Sequence, residues 1–398
     1  MSDNPRAVPI ADPMIDPKTA EVAAEAAVSV SQKASGSAAS KPRIAVWDNA
    51  RFVLIALVVI GHTISTVRTD SDFAFGLYAY IYLFHMPAMI LLSGMFSRTE
   101  VNAKAFRGVV QLIVLWLVWE GIWAILNFWV EGRPLGKNFL VSPAWTLWFI
   151  VTLVTMRILL PYIARLRHPL MFSIAIALIA GLSPEIGSQF SASRTLCFFP
   201  FFVAGWLIRD RGVLDGAWFM SPARAARATG WALLGAIGIA FLLVPQLRSE
   251  WRIDKWLTWR DSYGWLFANA PLGDWKPSEW FAISGGGIVV AASLLLLAGA
   301  MTLALLLVVP RRASVITVWG SRTLFVYLLH GPVVWVLRET GSIAAINSLT
   351  IGPISVGVPV MILGAVVLTM LLSMTWVTRA FKPIIEPSVD WMLQRPSH

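Results

Sequence analysis

Asp48–His62 reads DNARFVLIALVVIGH, an apolar run with one arginine at its head, one histidine inside it and ten residues between them. On a helix, eleven steps of about 100° return to nearly the same face, and about 1.5 Å per step sets Arg51 and His62 roughly 16 Å apart. The stretch predicts a membrane span carrying a fixed cation at one surface and a titratable ring near the bilayer middle, both on one stripe. An ionisable group in hydrocarbon is costly, so His62 marks a functional site by default. A histidine hydrogen-bonded inside the bundle for structure alone is the competing reading, and the alignment with Arg51 favours function.

The rest of the chain repeats this apolar character. Its 398 residues are 57% hydrophobic and 14% charged, with a mean hydropathy of +0.69, whereas soluble domains average about 25% charged residues. An all-α, polytopic transmembrane helix bundle is expected, with about ten spans near 49–69, 75–97, 107–130, 144–164, 169–188, 194–209, 226–246, 281–308, 314–338 and 353–379. The sixth is short and the eighth long. Lys41, Arg43, Arg98, Lys104, Arg107, Arg165, Arg167, Arg209, Arg211, Arg224, Arg227, Arg311, Arg312, Arg379 and Lys382 fall on one side of this arrangement. The short connections on the other side carry only Arg68, Arg133, Lys137, Arg194 and Arg338. The asymmetry predicts N-in and C-in, as an even span count requires.

Residues 1–44 form an Ala-, Ser- and Pro-rich segment without an aromatic residue, expected as a disordered cytoplasmic tail. No apolar stretch follows Met1, so a cleaved signal peptide is not expected. The membrane domain is placed at 45–382 and a short cytoplasmic tail at 383–398. The net charge of +10 is explained by topology, and no nucleic-acid partner is expected. The single cysteine, Cys197, excludes an intrachain disulfide and a multi-cysteine metal site. The longest connection, about 247–280, is rich in tryptophan and lies outside, either lidding a sugar or resting on lipid headgroups.

His62, His85 and His330 each fall within a predicted span, which suggests a polar cavity. No helix carries a two-histidine ligand pair, so no metal is expected. His85 precedes Pro87 in FHMPAMILLSGMF, where a kink gives it a packing role as readily as a chemical one. Lys104 and Arg107 begin the third span. They serve as positive-inside anchors or, with Arg51, as a cytoplasmic cationic rim for phosphates. Glu120 lies deep in the third span and needs a partner; it can orient a histidine or bind a hydroxyl. Arg157 in the fourth span is a snorkelling or cavity cation, and Arg322 with His330 repeats the layout of the first span.

Taken in series, DNARFVLIALVVIGH, FHMPAMILLSGMF, WTLWFIVTLVTMRILLP, CFFPFFVAGW and SRTLFVYLLHGPVV resemble the acyltransferase 3 family of integral membrane O-acyltransferases, in the branch similar to fucose 4-O-acetylases. The likeness covers about 45–382. The family's arginine–ten residues–histidine signature falls on Arg51 and His62, and its paired-arginine motif corresponds best to Lys104 and Arg107, with lysine a departure in the first place. The resemblance implies transfer of an acyl group, usually acetyl, from cytoplasmic acyl-CoA to a hydroxyl of a glycan or similar acceptor. No tightly bound cofactor is implied; acyl-CoA is a co-substrate. His62 is then the catalytic centre, as general base or transient acyl carrier, with Glu120 assisting. Arg51, Lys104 and Arg107 bind the donor, while His85, Arg157, Arg322 and His330 are cavity candidates. Some relatives add a soluble hydrolase-like domain; here the membrane domain suffices or uses a partner. The expected location is the bilayer of a bacterial plasma membrane.

Two other classes fit the residues. A secondary transporter would use His62, His85 and Glu120 as a proton relay, and a scaffold would use none of them. Thiol release from acyl-CoA separates the first reading from both.

Overall fold

The computed structural model describes residues 44–393 except 133, 135 and 137. The predicted tail over 1–44 lies outside these residues apart from Ile44, as do the last five residues of the 383–398 segment. The first two helices, α1 (Ala45–Ile64) and α2 (Asp72–Met95), form the centre of the bundle, with 72% and 78% of their apolar windows buried. Ser71 starts α2 by accepting a hydrogen bond from the Ala74 amide at 3.1 Å. Asn102 caps α3 (Ala103–Glu131) through the Ala105 amide at 2.9 Å, and Gly132, in the left-handed region at φ 64°, ends it.

The following helices are α4 (Trp148–Ile163), α5 (Pro169–Ala180), α6 (Ala192–Asp210), α7 (Arg224–Leu243), α8 (Trp280–Val308), α9 (Val315–Gly320), α10 (Thr323–Glu339), α11 (Gly357–Leu372) and α12 (Thr375–Ile385). Helices α3 and α7 bury only 22% and 11% of their apolar windows, so they present apolar faces outward. This is the pattern of a bundle whose periphery meets lipid.

Every predicted apolar segment contains helix, and six helices among the described residues are long and apolar enough to cross a membrane. The shortfall expected of the sixth segment falls instead on the fifth. Helix α5 has 12 residues and α4 has 16, about 18 and 24 Å against a core of about 30 Å. The tenth segment is broken, with the helix beginning at Thr375 turned 72° from α11. Among the described residues, strands are confined to a hairpin of two two-residue strands, pairing Thr350 with Ser355 and Ile351 with Ile354.

Two contacts fix the centre. Buried Asn49 donates to the Pro310 and Arg312 carbonyls at 2.8 and 3.0 Å and accepts from the Thr317 hydroxyl at 2.7 Å. All its polar capacity thus docks the α8–α9 link against α1. Helices α2 and α6 meet at paired glycines. A Cβ at Gly94 would collide with the Phe202 carbonyl, and one at Gly205 with the Leu91 carbonyl. Small residues allow such backbone approach where water offers no driving force between helices.

Gly94→Ala should therefore lower the melting temperature of the detergent-solubilised protein. The cost should be at least the roughly 1–3 kcal/mol of an overpacked core. Gly121→Ala, where a Cβ meets nothing within 4 Å, should be neutral or slightly stabilising; equal effects at both sites would refute the close crossing.

Candidate active site

Near the far end of α1 from Arg51, side chains from α1, α2, α4, α6, α10 and two loops enclose a cavity of about 90 Å³. Its polar lining includes His62, His85, Thr146, Arg194 and Tyr327, beside Trp145 and Trp148. His62 stands in the last turn of α1 rather than halfway along it. Two of the three intramembrane histidines are in direct contact: His62 Nδ1 lies 2.9 Å from His330 Nε2.

The partners assign the tautomers. His330 Nδ1 lies 2.9 Å from the Val326 carbonyl. A carbonyl only accepts, so this nitrogen carries the proton, and Nε2 of the neutral ring accepts from His62 Nδ1–H. The lone pair of His62 is then on Nε2, and no described group hydrogen-bonds that nitrogen. His85 is held alike, with Nδ1 2.6 Å from the Ile81 carbonyl. Trp145 lies against the His62 ring with centroids 5.0 Å apart.

Glu120 does not join them. It accepts from Trp116 Nε1 at 2.9 Å and from the Ala144 amide at 2.8 Å, outside the lining of the histidine cavity. Its role is to hold the loop that brings Trp145 and Thr146 into the bundle. Among the described hydrogen bonds, none joins Glu120 to His62 or His85, the partners that the transporter alternative would need.

Two more cavities follow in the direction of Arg51. One of about 110 Å³ is lined by Arg51, Ser93, Phe149, Thr323 and Tyr327. Tyr327 is thus a wall common to this chamber and the histidine cavity, and its hydroxyl donates to the Thr146 carbonyl. Arg51 pairs with Asp48 at 3.0 Å and lies over the Phe96 ring at 4.3 Å. Phe96 in turn lines a third cavity of about 250 Å³ with Arg98, Lys104 and Arg157. The Nε of Arg157 is buried without a protein partner.

Of the predicted donor cations, Lys104 lines this third cavity and Arg51 the neighbouring one, while Arg107 faces Asp390 at 2.9 Å in an exposed pair. Arg322 lines none of these cavities; it donates to the Ser373 carbonyl at 2.7 Å, at the α11–α12 bend. Sequence reading assigned Arg194 to topology and overlooked Trp145, Thr146 and Tyr327. A signal for Arg194 exists: SRTL occurs at both 193–196 and 321–324, each time opening an apolar run.

The loop after α7 roofs the histidine cavity through Leu257 and Thr258. The fully buried Asp254 carboxylate pins it, accepting from Arg68 and Arg252, each at 3.0 Å. Outside the bundle core, this hydrogen-bonded carboxylate holds the Arg252 guanidinium above its ordinary pKa.

These features define a helical integral membrane protein with a histidine chamber at one end and a cation-lined chamber towards the other. The chain belongs to the acyltransferase 3 family, whose sequence profile, described as an acyltransferase domain, matches residues 44–375. Nodulation protein NolL of Sinorhizobium fredii is 30% identical over 142 residues, 32% of this chain and 39% of that protein. Its counterpart in Mesorhizobium japonicum is 37% identical over 81 residues, 18% of this chain and 22% of that protein. The chain thus spans about two fifths, or less, of these curated relatives. No solved structure matches the chain.

Asp254→Ala should loosen the roof. It leaves Arg68 and Arg252 without their counter-ion, at a cost of about 3 kcal/mol, towards the low end for a broken buried pair because both arginines keep solvent contact. Limited proteolysis should then cut within 247–280 sooner. Asp390→Ala, in an exposed pair, should cost less than about 1 kcal/mol; equal sensitivity of the two variants would remove the pinning role.

Proposed function

We propose that this chain is a membrane O-acyltransferase that moves an acyl group, acetyl in the simplest case, from cytoplasmic acyl-CoA to a hydroxyl of a glycan or related acceptor. The observation that carries the reading is the succession of three chambers. The cation-lined one shares Phe96 with the Arg51 contact, and the Arg51 chamber shares Tyr327 with the histidine cavity. A donor with phosphates at one end of a long arm and a thioester at the other suits this order. Arg98, Lys104 and Arg157 receive phosphates, Arg51 flanks the arm, and the thioester meets His62 roughly 16 Å further on.

The histidine pair supplies the chemistry. The acceptor hydroxyl gives its proton to His62 Nε2 as its oxygen attacks the thioester carbon. The resulting imidazolium keeps donating through Nδ1 to His330, which spreads the charge and holds the ring. His330 is therefore a positioning residue rather than a packing one. A transient acyl group on His62 would use the same nitrogen. The tryptophan-rich roof over the cavity suits a sugar acceptor, whose apolar faces stack on indole.

The assay is CoA release from acetyl-CoA by the purified chain, with methyl fucoside as acceptor probe. His62→Ala should lower kcat by about 10²–10⁴ at unchanged donor affinity. His330→Ala should cost about tenfold, the scale of one hydrogen bond, and the double variant should be no slower than His62→Ala. Lys104→Ala and Arg157→Ala should raise the KM for acetyl-CoA, with Arg107→Ala changing it least. Near-normal turnover by His62→Ala would defeat the mechanism.

The same reading places ten crossings in a bacterial plasma membrane, with both termini cytoplasmic. The short α4 and α5, and α10, complete the six long helices and the bent α11–α12 pair. A membrane-impermeant thiol reagent applied to intact cells should label a cysteine introduced at Lys255 and spare one at Arg224. Labelling at Arg224 would reverse the orientation.

A further inference from the structure

Acyl transfer needs more than a base. When an oxygen nucleophile adds to a thioester, negative charge collects on the carbonyl oxygen, and donors preset at that point lower the barrier. In the neutral histidine arrangement, the nitrogens of His62 and His85 left without protein partners are both lone-pair Nε2 atoms, so neither supplies a donor. Among the described residues, Arg194 is the one cation lining the cavity.

Its surroundings hold it there. Arg194 is the third residue of α6, and its Nε donates to the Thr258 carbonyl at 3.1 Å. Its guanidinium lies 4.7 Å from the centroid of the Trp148 ring. Five N–H donors belong to a guanidinium; one is used, and no described carboxylate pairs with the group. The Asp261 carboxylate acts on it only from beyond ion-pair distance and faces Arg260 at 3.6 Å; a cation in an apolar bundle without a paired carboxylate calls for an anion from its ligand. The Thr146 hydroxyl, lining the same cavity, likewise has no protein partner.

We propose that Arg194 is a catalytic residue that receives the carbonyl oxygen of the acyl group and stabilises its charge during transfer. This rests on the acyl-transfer reading above. The acceptor oxygen bonds to the carbonyl carbon, its proton passes to His62 Nε2, and the C=O π pair moves onto the oxygen facing Arg194. Collapse re-forms C=O and breaks the C–S bond. The departing thiolate then takes the proton from His62, giving ester and free CoA. With water as nucleophile the same sequence gives acid and CoA.

The test measures CoA release from acetyl-CoA by the full-length protein in nanodiscs, once with water alone and once with methyl fucoside. Arg194→Gln should lower kcat about 10²–10³-fold in both reactions, the scale of a lost oxyanion donor, with acetyl-CoA binding by calorimetry unchanged. Guanidinium ion added to Arg194→Ala should restore part of the rate, which a purely architectural role would not allow. If the neutral variants do not fold, Arg194→Lys decides alone. It keeps the charge without the forked geometry, so about a tenfold loss at unchanged Kd is expected and an unaltered kcat overturns the assignment. Loss of transfer with hydrolysis intact would make Arg194 an acceptor-binding group instead and also overturn it. Absence of CoA release from the wild-type protein removes the acyl-transfer reading and this role with it; normal release by Arg194→Gln removes this role alone.

Discussion

A polar group enclosed in an apolar bundle must find its partners inside that bundle, because hydrocarbon offers none. This constraint shapes the structure throughout. Asn49 uses both donors and its acceptor to seat the α8–α9 link on α1. Glu120 holds the loop before α4, and Asp254 gathers two arginines in the loop that roofs the histidine cavity. The histidines obey the same rule, with His85 and His330 each bonding a carbonyl one turn back. His62 instead bonds to His330 from across the bundle. Two side-chain groups that lack a protein partner line the chambers, the Thr146 hydroxyl and the Arg157 Nε.

The short α4 is central to how the site is made. Because the helix begins only at Trp148, the preceding Trp145 and Thr146 reach the histidine cavity as irregular chain rather than as helix. Backbone of that kind is tolerated at membrane depth only where protein or a cavity surrounds it. Glu120 meets the cost by accepting from the Ala144 amide, and Tyr327 by donating to the Thr146 carbonyl. A carboxylate that resembles a proton carrier in the sequence is thus a loop support in the fold.

Hydrophobic periodicity made the helices legible, since an apolar run of about twenty residues has few other fates. The same logic identified Arg51 and His62, whose spacing along one helix needs no tertiary information. Partners across helices were not legible. His330 read as a packing residue beside Pro332 because nothing in SRTLFVYLLHGPVV states which helix it faces. Arg194 read as a loop charge, although its SRTL context matches that of Arg322; the same four residues support a chamber in one place and a helix bend in the other. The break after Leu372 was hidden because apolar composition continues across it, while direction changes by 72°.

Tyr327 has a duty that chemistry alone does not define. The chambers on its two sides approach each other along the same helices, with this ring as their common wall. If the chambers carry a thioester arm, as proposed above, the same passage is a path for water, and water in file conducts protons. On that reading the tyrosine, tied by its hydroxyl to the chain at Thr146, would act as an electrical insulator between the two chambers it separates.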